Sequence, residues 1–295
     1  MPKPKQFTDG KTTIYLGDCI DALAEVPDSS VKLIFADPPY NIGKEFGTFK
    51  DSWASDKDYA EWCYRWIEIC IQKLCANGSL YVMTSTQAMP HLDLWIRDRL
   101  TVVSRIVWHY DSSGVQAKKK FGSLYEPLLF CVKNPWDYTF NAAEIEVEAR
   151  TGATRKLVDY RKKVPTQYKT TKVPGNAWYF PRVRYRMAEY EDHPSQKPEA
   201  LLERIIRVSS NAGDLVLDPF SGTFTTCAVA QRLGRRTIGI ELQSEYVKIG
   251  LRRLSLATVY QGEELRPLDK SYVRKNSNGI RRSEDDEEHP SLFDG

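Results

Sequence analysis

Two apolar runs in this chain each end on an aspartate at a tight turn. Leu33, Ile34, Phe35 and Ala36 lead into Asp37, Pro38, Pro39 and Tyr40, and Leu215, Val216 and Leu217 lead into Asp218, Pro219, Phe220, Ser221 and Gly222. In the first turn, the Asp37 carboxylate sits beside the Pro38 carbonyl, which the locked ring of Pro39 holds in place. Together they form two fixed hydrogen-bond acceptors at the mouth of the strand. Tyr40 adds a flat ring directly behind them.

The second turn reads as a binding element. In open α/β sheets, ligands bind outside the carboxyl ends of the strands where strand order reverses. Two acid-ended strands lying side by side would therefore bring Asp37 and Asp218 to one crevice. Gly222 permits close backbone approach, and the helix that follows offers free N–H groups. GxxxxGK[ST] is absent, and Phe224 stands where GxGxxG would need a glycine, so a ligand without a pyrophosphate is favoured. Glu241, ending the run GIEL, is placed to accept two hydrogen bonds from ribose hydroxyls.

These residues need a scaffold of alternating strands and helices, as in a doubly wound sheet. TTIYLGD, VKLIFAD and GSLYVMTS read as strands. The apolar spacing from Asp58 to Leu74 predicts a helix that Asn77-Gly78 stops. VVSRIVWHY and LYEPLLFCVKN read as a strand pair. After a basic, proline-containing interruption over 135–192, PEALLERIIRVSS predicts a helix. DLVLD predicts a strand, TTCAVAQRLG a helix closed by glycine, RTIGIEL a strand, and SEYVKIGLRRLSLA a last helix with Ser244 as N-cap. The tail over 262–295 has few apolar groups to bury and reads as disordered.

The 295 residues suffice for one large α/β domain carrying an insertion. No run approaches a membrane span and the N-terminus has no signal-peptide core, so a cytoplasmic protein with no membrane partner is expected. The six cysteines show no CxxC spacing, which argues for buried thiols and against a metal site. Charge is unevenly spread: between Arg150 and Met187 stand eleven Lys and Arg against the single acid Asp159, a net of +10 in 38 residues. A one-signed stretch interleaved with Tyr160, Tyr168, Trp178, Tyr179, Phe180 and Tyr185 suits a phosphate-tracking face with stacking groups. Lys118, Lys119, Lys120, Arg155, Lys156, Arg161, Lys162, Lys163, Arg182 and Arg184 are the candidate nucleic-acid contacts.

DPPY at 37–40 together with DPFSGTFTT at 218–226 resembles the S-adenosylmethionine-dependent DNA methyltransferases that modify exocyclic amino groups. The catalytic motif comes first, as in the β group of that family. Gly17-Asp18, HPSQKPEALLERII and GIEL extend the resemblance over roughly residues 12–255. It implies a mostly parallel, Rossmann-like seven-stranded sheet with one antiparallel strand, in permuted motif order with an inserted DNA-recognition region. Residues 1–134 would carry catalysis, 135–192 target recognition and 193–261 the cofactor. It also implies S-adenosylmethionine as cofactor, held by Asp18, Cys19, Asp37, Ser195, Lys197, Asp218, Phe220, Gly222, Thr223 and Glu241. Many relatives have a second glycine where this chain has Phe224, which puts the shape of that turn in question.

By this resemblance the substrate is adenine N6 in double-stranded DNA, flipped from the duplex. Stacking on Tyr40 would return about 1 to 3 kcal/mol. Three alternatives stay open: a cytosine-N4 enzyme, an inactive DNA-binding protein on the same fold, and, disfavoured by the missing GxGxxG, a nicotinamide oxidoreductase. The resemblance admits a homodimer and work at the nucleoid. No motif of a cognate restriction endonuclease stands in this chain.

Overall fold

The computed structural model describes residues 3–46, 49–111, 118–119, 121–149, 157–161, 163–256, 258–260 and 263–265. Lys120, Arg155, Lys156 and Lys162, and all of the 262–295 tail except 263–265, lie outside the described residues.

One sheet organises the chain. In sequence order its strands are β1 (Lys5–Thr8), β2 (Thr12–Leu16), β3 (Val31–Ala36), β4 (Leu74–Met83), β5 (Thr101–His109), β6 (Tyr125–Val132), β7 (Ala177–Tyr179), β8 (Leu215–Asp218) and β9 (Arg236–Glu241). Across the sheet they run β1-β2-β9-β8-β3-β4-β6-β5-β7. The seven from β2 to β5 are the expected core, in which only β6 is antiparallel. Two short edge strands extend it: β1 antiparallel to β2, and β7 parallel to β5. β7 comes from the basic stretch. It docks because Trp178 is buried there, with its Nε1–H donating to the Gly175 carbonyl at 2.7 Å.

Helices cover both faces: α1 (Cys19–Ala24), α2 (Asp56–Lys73), α3 (Met89–Arg97), α4 (Glu199–Ser209), α5 (Thr225–Arg232) and α6 (Ser244–Arg253). The two-residue alternation of a strand sorts β3 between them. Ile34 and Ala36 pack in the core that includes Leu23, Trp66, Ile67 and Leu92, whereas Leu33 and Phe35 pack with Leu201, Ile205 and Val229. Burial on both faces explains why β3 reads as a continuous apolar run.

Two local expectations are corrected. The helix before β4 ends at Lys73, and Asn77-Gly78 lies inside the strand, where the β3 pairing register shifts between Val31 and Leu33. A Cβ at Gly78 would meet the Cys75 carbonyl at 3.0 Å and the Val31 carbonyl at 3.1 Å, so this glycine serves a bulge and not a helix stop. Ser244 is the first residue of α6 and Gln243 its N-cap, whose N–H is taken up by the Glu241 carboxylate.

Candidate active site

Parallel strands deliver their last residues to one edge, and the sheet uses this fully. Asp37 follows β3, Asp218 ends β8, Glu241 ends β9, and Gly17-Asp18 follows β2. β8 pairs β3 in parallel, with Leu217 opposite Ile34, so the two acid-ended strands are neighbours as the sequence implied. β6, running the other way, presents its first residues at the same edge, and with them Glu126. A cavity of about 460 Å³ opens there. Asp18, Cys19, Asp37, Pro38, Pro39, Tyr40, Ser195, Lys197, Phe220, Gly222 and Glu241 line it. Asp218 and Thr223 stand behind this wall, against a small cavity of about 30 Å³.

The DPPY turn is held from two sides. The Asp51 carboxylate accepts the backbone N–H of Tyr40 at 3.0 Å, of Asn41 at 2.6 Å and of Ile42 at 3.4 Å. From α2, the Tyr59 hydroxyl donates to the Pro39 carbonyl at 2.7 Å. Neither support carries a sequence signal, because each acts on the backbone from a distance.

Four side chains then converge. The Tyr40 hydroxyl lies 2.6 Å from Asp37 Oδ1 and 2.9 Å from Glu126 Oε2. Lys197 Nζ lies 2.5 Å from Asp37 Oδ2 and 3.5 Å from Glu126 Oε2. Burial pushes the Asp37 carboxyl above its usual range, against the pull of Lys197 and with the help of Glu126. For Lys197, burial alone would lower the ammonium, but Asp37 and Glu126 outweigh it and hold the amine protonated above its usual range. Burial, then the two carboxylates, keeps the Tyr40 phenol protonated well above its usual range. Sequence reasoning missed Glu126, whose signal is an acid inside the otherwise apolar run LYEPLLF.

On the other side of the cavity, the Glu241 carboxylate accepts the Gly222 N–H at 2.9 Å and the Gln243 N–H at 2.8 Å. Burial pushes Glu241 up to about 7 despite these bonds. Asp218, also pushed up to about 7 by burial, accepts the Phe220 N–H at 2.9 Å and so shapes the turn. Gly222 has φ +50°, and a Cβ there would lie 3.1 Å from His193 Nε2. Burial, then Lys197 and Lys44, pushes His193 down to about 3, so its ring is a neutral wall. Asp18 caps α1 by accepting the Ile20 N–H at 2.9 Å and still lines the cavity.

The question over Phe224 has a structural answer. It keeps the left-handed backbone that a glycine would supply, at φ 61°, and is fully buried. Its ring fills a slot between Gly239 of β9 and Gly250 of α6, where a Cβ would come within 2.6 Å and 2.3 Å of the ring.

Among the candidate nucleic-acid contacts, Arg182 lines the cavity, with its guanidinium 5.0 Å from the Tyr110 ring centre. Arg184 donates to the Asp111 carbonyl at 3.1 Å, and Arg161 is paired with Asp159 at 2.8 Å. Lys118, Lys119 and Lys163 are exposed. Among the described residues no helix is long and apolar enough to cross a membrane, and no group of His, Cys, Asp and Glu is arranged to hold a metal.

The sequence profile of the DNA methylase family matches residues 31–252. The chain is 54% identical over 291 residues to the DNA adenine methyltransferase YhdJ of Escherichia coli (strain K12), covering 99% of this chain and 98% of that protein. The type II methyltransferase M.HpaI of Haemophilus parainfluenzae is 34% identical over 239 residues, covering 80% of this chain and 72% of that one. Among solved structures, the cytosine-N4-specific PvuII DNA methyltransferase superposes with a TM-score of 0.64 at 19% identity, over 84% of this chain and 89% of that one. The M1.HpyAVI–SAM complex gives a TM-score of 0.59 at 22% identity, over 83% and 100%.

Proposed function

The chain belongs to the DNA methylase family, and from that premise we propose how its site works as a DNA adenine-N6 methyltransferase using S-adenosylmethionine. The observation that carries the assignment to the site is the meeting of the DPPY turn and the Gly222–Glu241 pair on one cavity. A methyl donor and a methyl acceptor must share one space, and the two motifs open onto the same one.

The cofactor supplies a methyl group on a sulfonium. Its residues fit the cavity: Glu241 is an anionic acceptor at a strand end for ribose hydroxyls, Gly222 lets the backbone come close, and Asp18 offers an acceptor for the adenine amine. Asp37 and the Pro38 carbonyl accept the two N–H bonds of the target amine, which aligns its lone pair. Well-oriented intramolecular reactions recover roughly 7 to 11 kcal/mol of barrier this way. Asp37 need not be a strong base, since the methylated nitrogen becomes acidic. Tyr40 lines the cavity beside Asp37 and supplies the ring against which the extruded base stacks. Arg182, at the same cavity, and the exposed lysines of the basic stretch hold phosphates.

The 54% identity to a named adenine enzyme, with the acid-first DPPY, favours adenine over cytosine. The test is methyl transfer from labelled S-adenosylmethionine to duplex DNA, followed by digestion to nucleosides. N6-methyladenine is expected. N4-methylcytosine would reverse the base assignment, and DNA binding without transfer would reverse the enzymatic one.

A further inference from the structure

Asp37 is the acceptor assigned above to the target amine, yet both of its oxygens already have a donor. Tyr40 holds Oδ1 at 2.6 Å and Lys197 holds Oδ2 at 2.5 Å. Each of these donors has Glu126 Oε2 as a second acceptor, at 2.9 Å from the hydroxyl and 3.5 Å from the ammonium. Lys197 is only 7% exposed, so displacing it from Asp37 onto nothing would leave an uncompensated buried charge.

Glu126 is fixed for such a part. It stands near the start of β6, opposite Trp108 of β5, and its Oε1 accepts the Tyr110 hydroxyl at 3.4 Å. Pro127 follows it. Two carboxylates therefore share one ammonium and one phenol, and the donors can pass between them by sub-ångström shifts.

We propose that Glu126 is a positioning residue for methyl transfer: it is the exchange acceptor that takes over Tyr40 and Lys197 when the target amine engages Asp37. The inference rests on the amino-methyltransferase assignment above. Without Glu126, Asp37 and Lys197 form a closed ion pair that the amine cannot open; with it, Asp37 is freed while every buried donor stays satisfied.

Single-turnover transfer at saturating S-adenosylmethionine and DNA tests this directly. Glu126→Gln is expected to slow the step by about tenfold or more, with affinities for cofactor and DNA within about threefold of wild type. The same substitution in a Lys197→Met background is expected to cost less than about threefold, because no ammonium remains to hold Asp37 closed. Equal losses in both backgrounds, or a Glu126→Gln enzyme at the wild-type rate, would overturn the proposal. Should Lys197→Met be too slow to measure, Glu126→Asp decides. It keeps a carboxylate and is expected to run about tenfold faster than Glu126→Gln, whereas equal loss in the two would overturn it. The wild-type rate in the same assay reports on the methyltransferase assignment itself, so a result confined to the variants bears on Glu126 alone.

Discussion

The Asp51 carboxylate accepts the backbone N–H of Tyr40 at 3.0 Å from eleven residues further along the chain, and that bond helps hold the DPPY turn in shape. Asp51 is 1% exposed and takes the N–H groups of Asn41 and Ile42 as well. Asp51→Ala should strand these donors at roughly 1–3 kcal/mol each where no water replaces the carboxylate. It should also shift the turn enough to lower methyl transfer by about 100-fold. Urea unfolding and the transfer assay check the two effects, and Asp51→Asn should recover part of both.

Cofactor affinity should depend on pH through Glu241. Burial places this carboxyl at about 7 in the free protein, so it is ionised above that pH and protonated below it. Ribose hydroxyls donate to the ionised form, so binding favours proton loss. The dissociation constant for S-adenosylmethionine should be flat above about pH 8 and rise by up to about tenfold per unit as pH falls below 7. Calorimetric titration from pH 8.5 to 5.5 measures it. Glu241→Gln should bind more weakly at pH 8 and lose most of this dependence.

Phe224 should be a large stability determinant close to the Gly222 turn. Its ring lies between Gly239 and Gly250 in the cluster formed with Phe7, Ile14, Val247 and Leu251. Phe224→Ala should cost about 3–5 kcal/mol, since the cavity loss exceeds any relief at the positive φ. Gly250→Ala should cost about 1–3 kcal/mol by overpacking. Urea midpoints at constant m-value give both numbers.

DNA binding should separate Arg182 from Arg161. Arg182 lines the cavity, whereas Arg161 already pairs with Asp159. Arg182→Ala should weaken binding and reduce the salt slope by about one unit, the mark of one lost phosphate contact. Arg161→Ala should change the slope less. Binding isotherms at several salt concentrations distinguish them.

Much of this architecture was legible because it is local. Asp37, Asp218 and Glu241 each close an apolar strand run, and the pattern of acid-ended strands implies a shared crevice whatever the family. The β5–β6 pair followed from two adjacent strand signals, and the presence of one antiparallel strand from the family resemblance. What sequence could not show was side chains acting across the fold. Asp51 and Tyr59 grip the backbone of a turn that they follow by many residues. Glu126 and Lys197 are 71 positions apart and meet because an antiparallel strand starts where its parallel neighbours end. Gly78 looked like a helix stop because a bulge needs the same residue type. Phe224 looked like a departure from a glycine position, and only the paired glycines across from it explain how a phenylalanine fits.

The most direct measurement is transfer of the methyl group by Asp37→Ala, with S-adenosylmethionine binding followed in parallel. If Asp37 is the acceptor that aligns the adenine amine, transfer to duplex DNA should fall below detection while cofactor affinity stays within a few-fold of wild type. Turnover within about tenfold of wild type would contradict the account and place the amine against some other group.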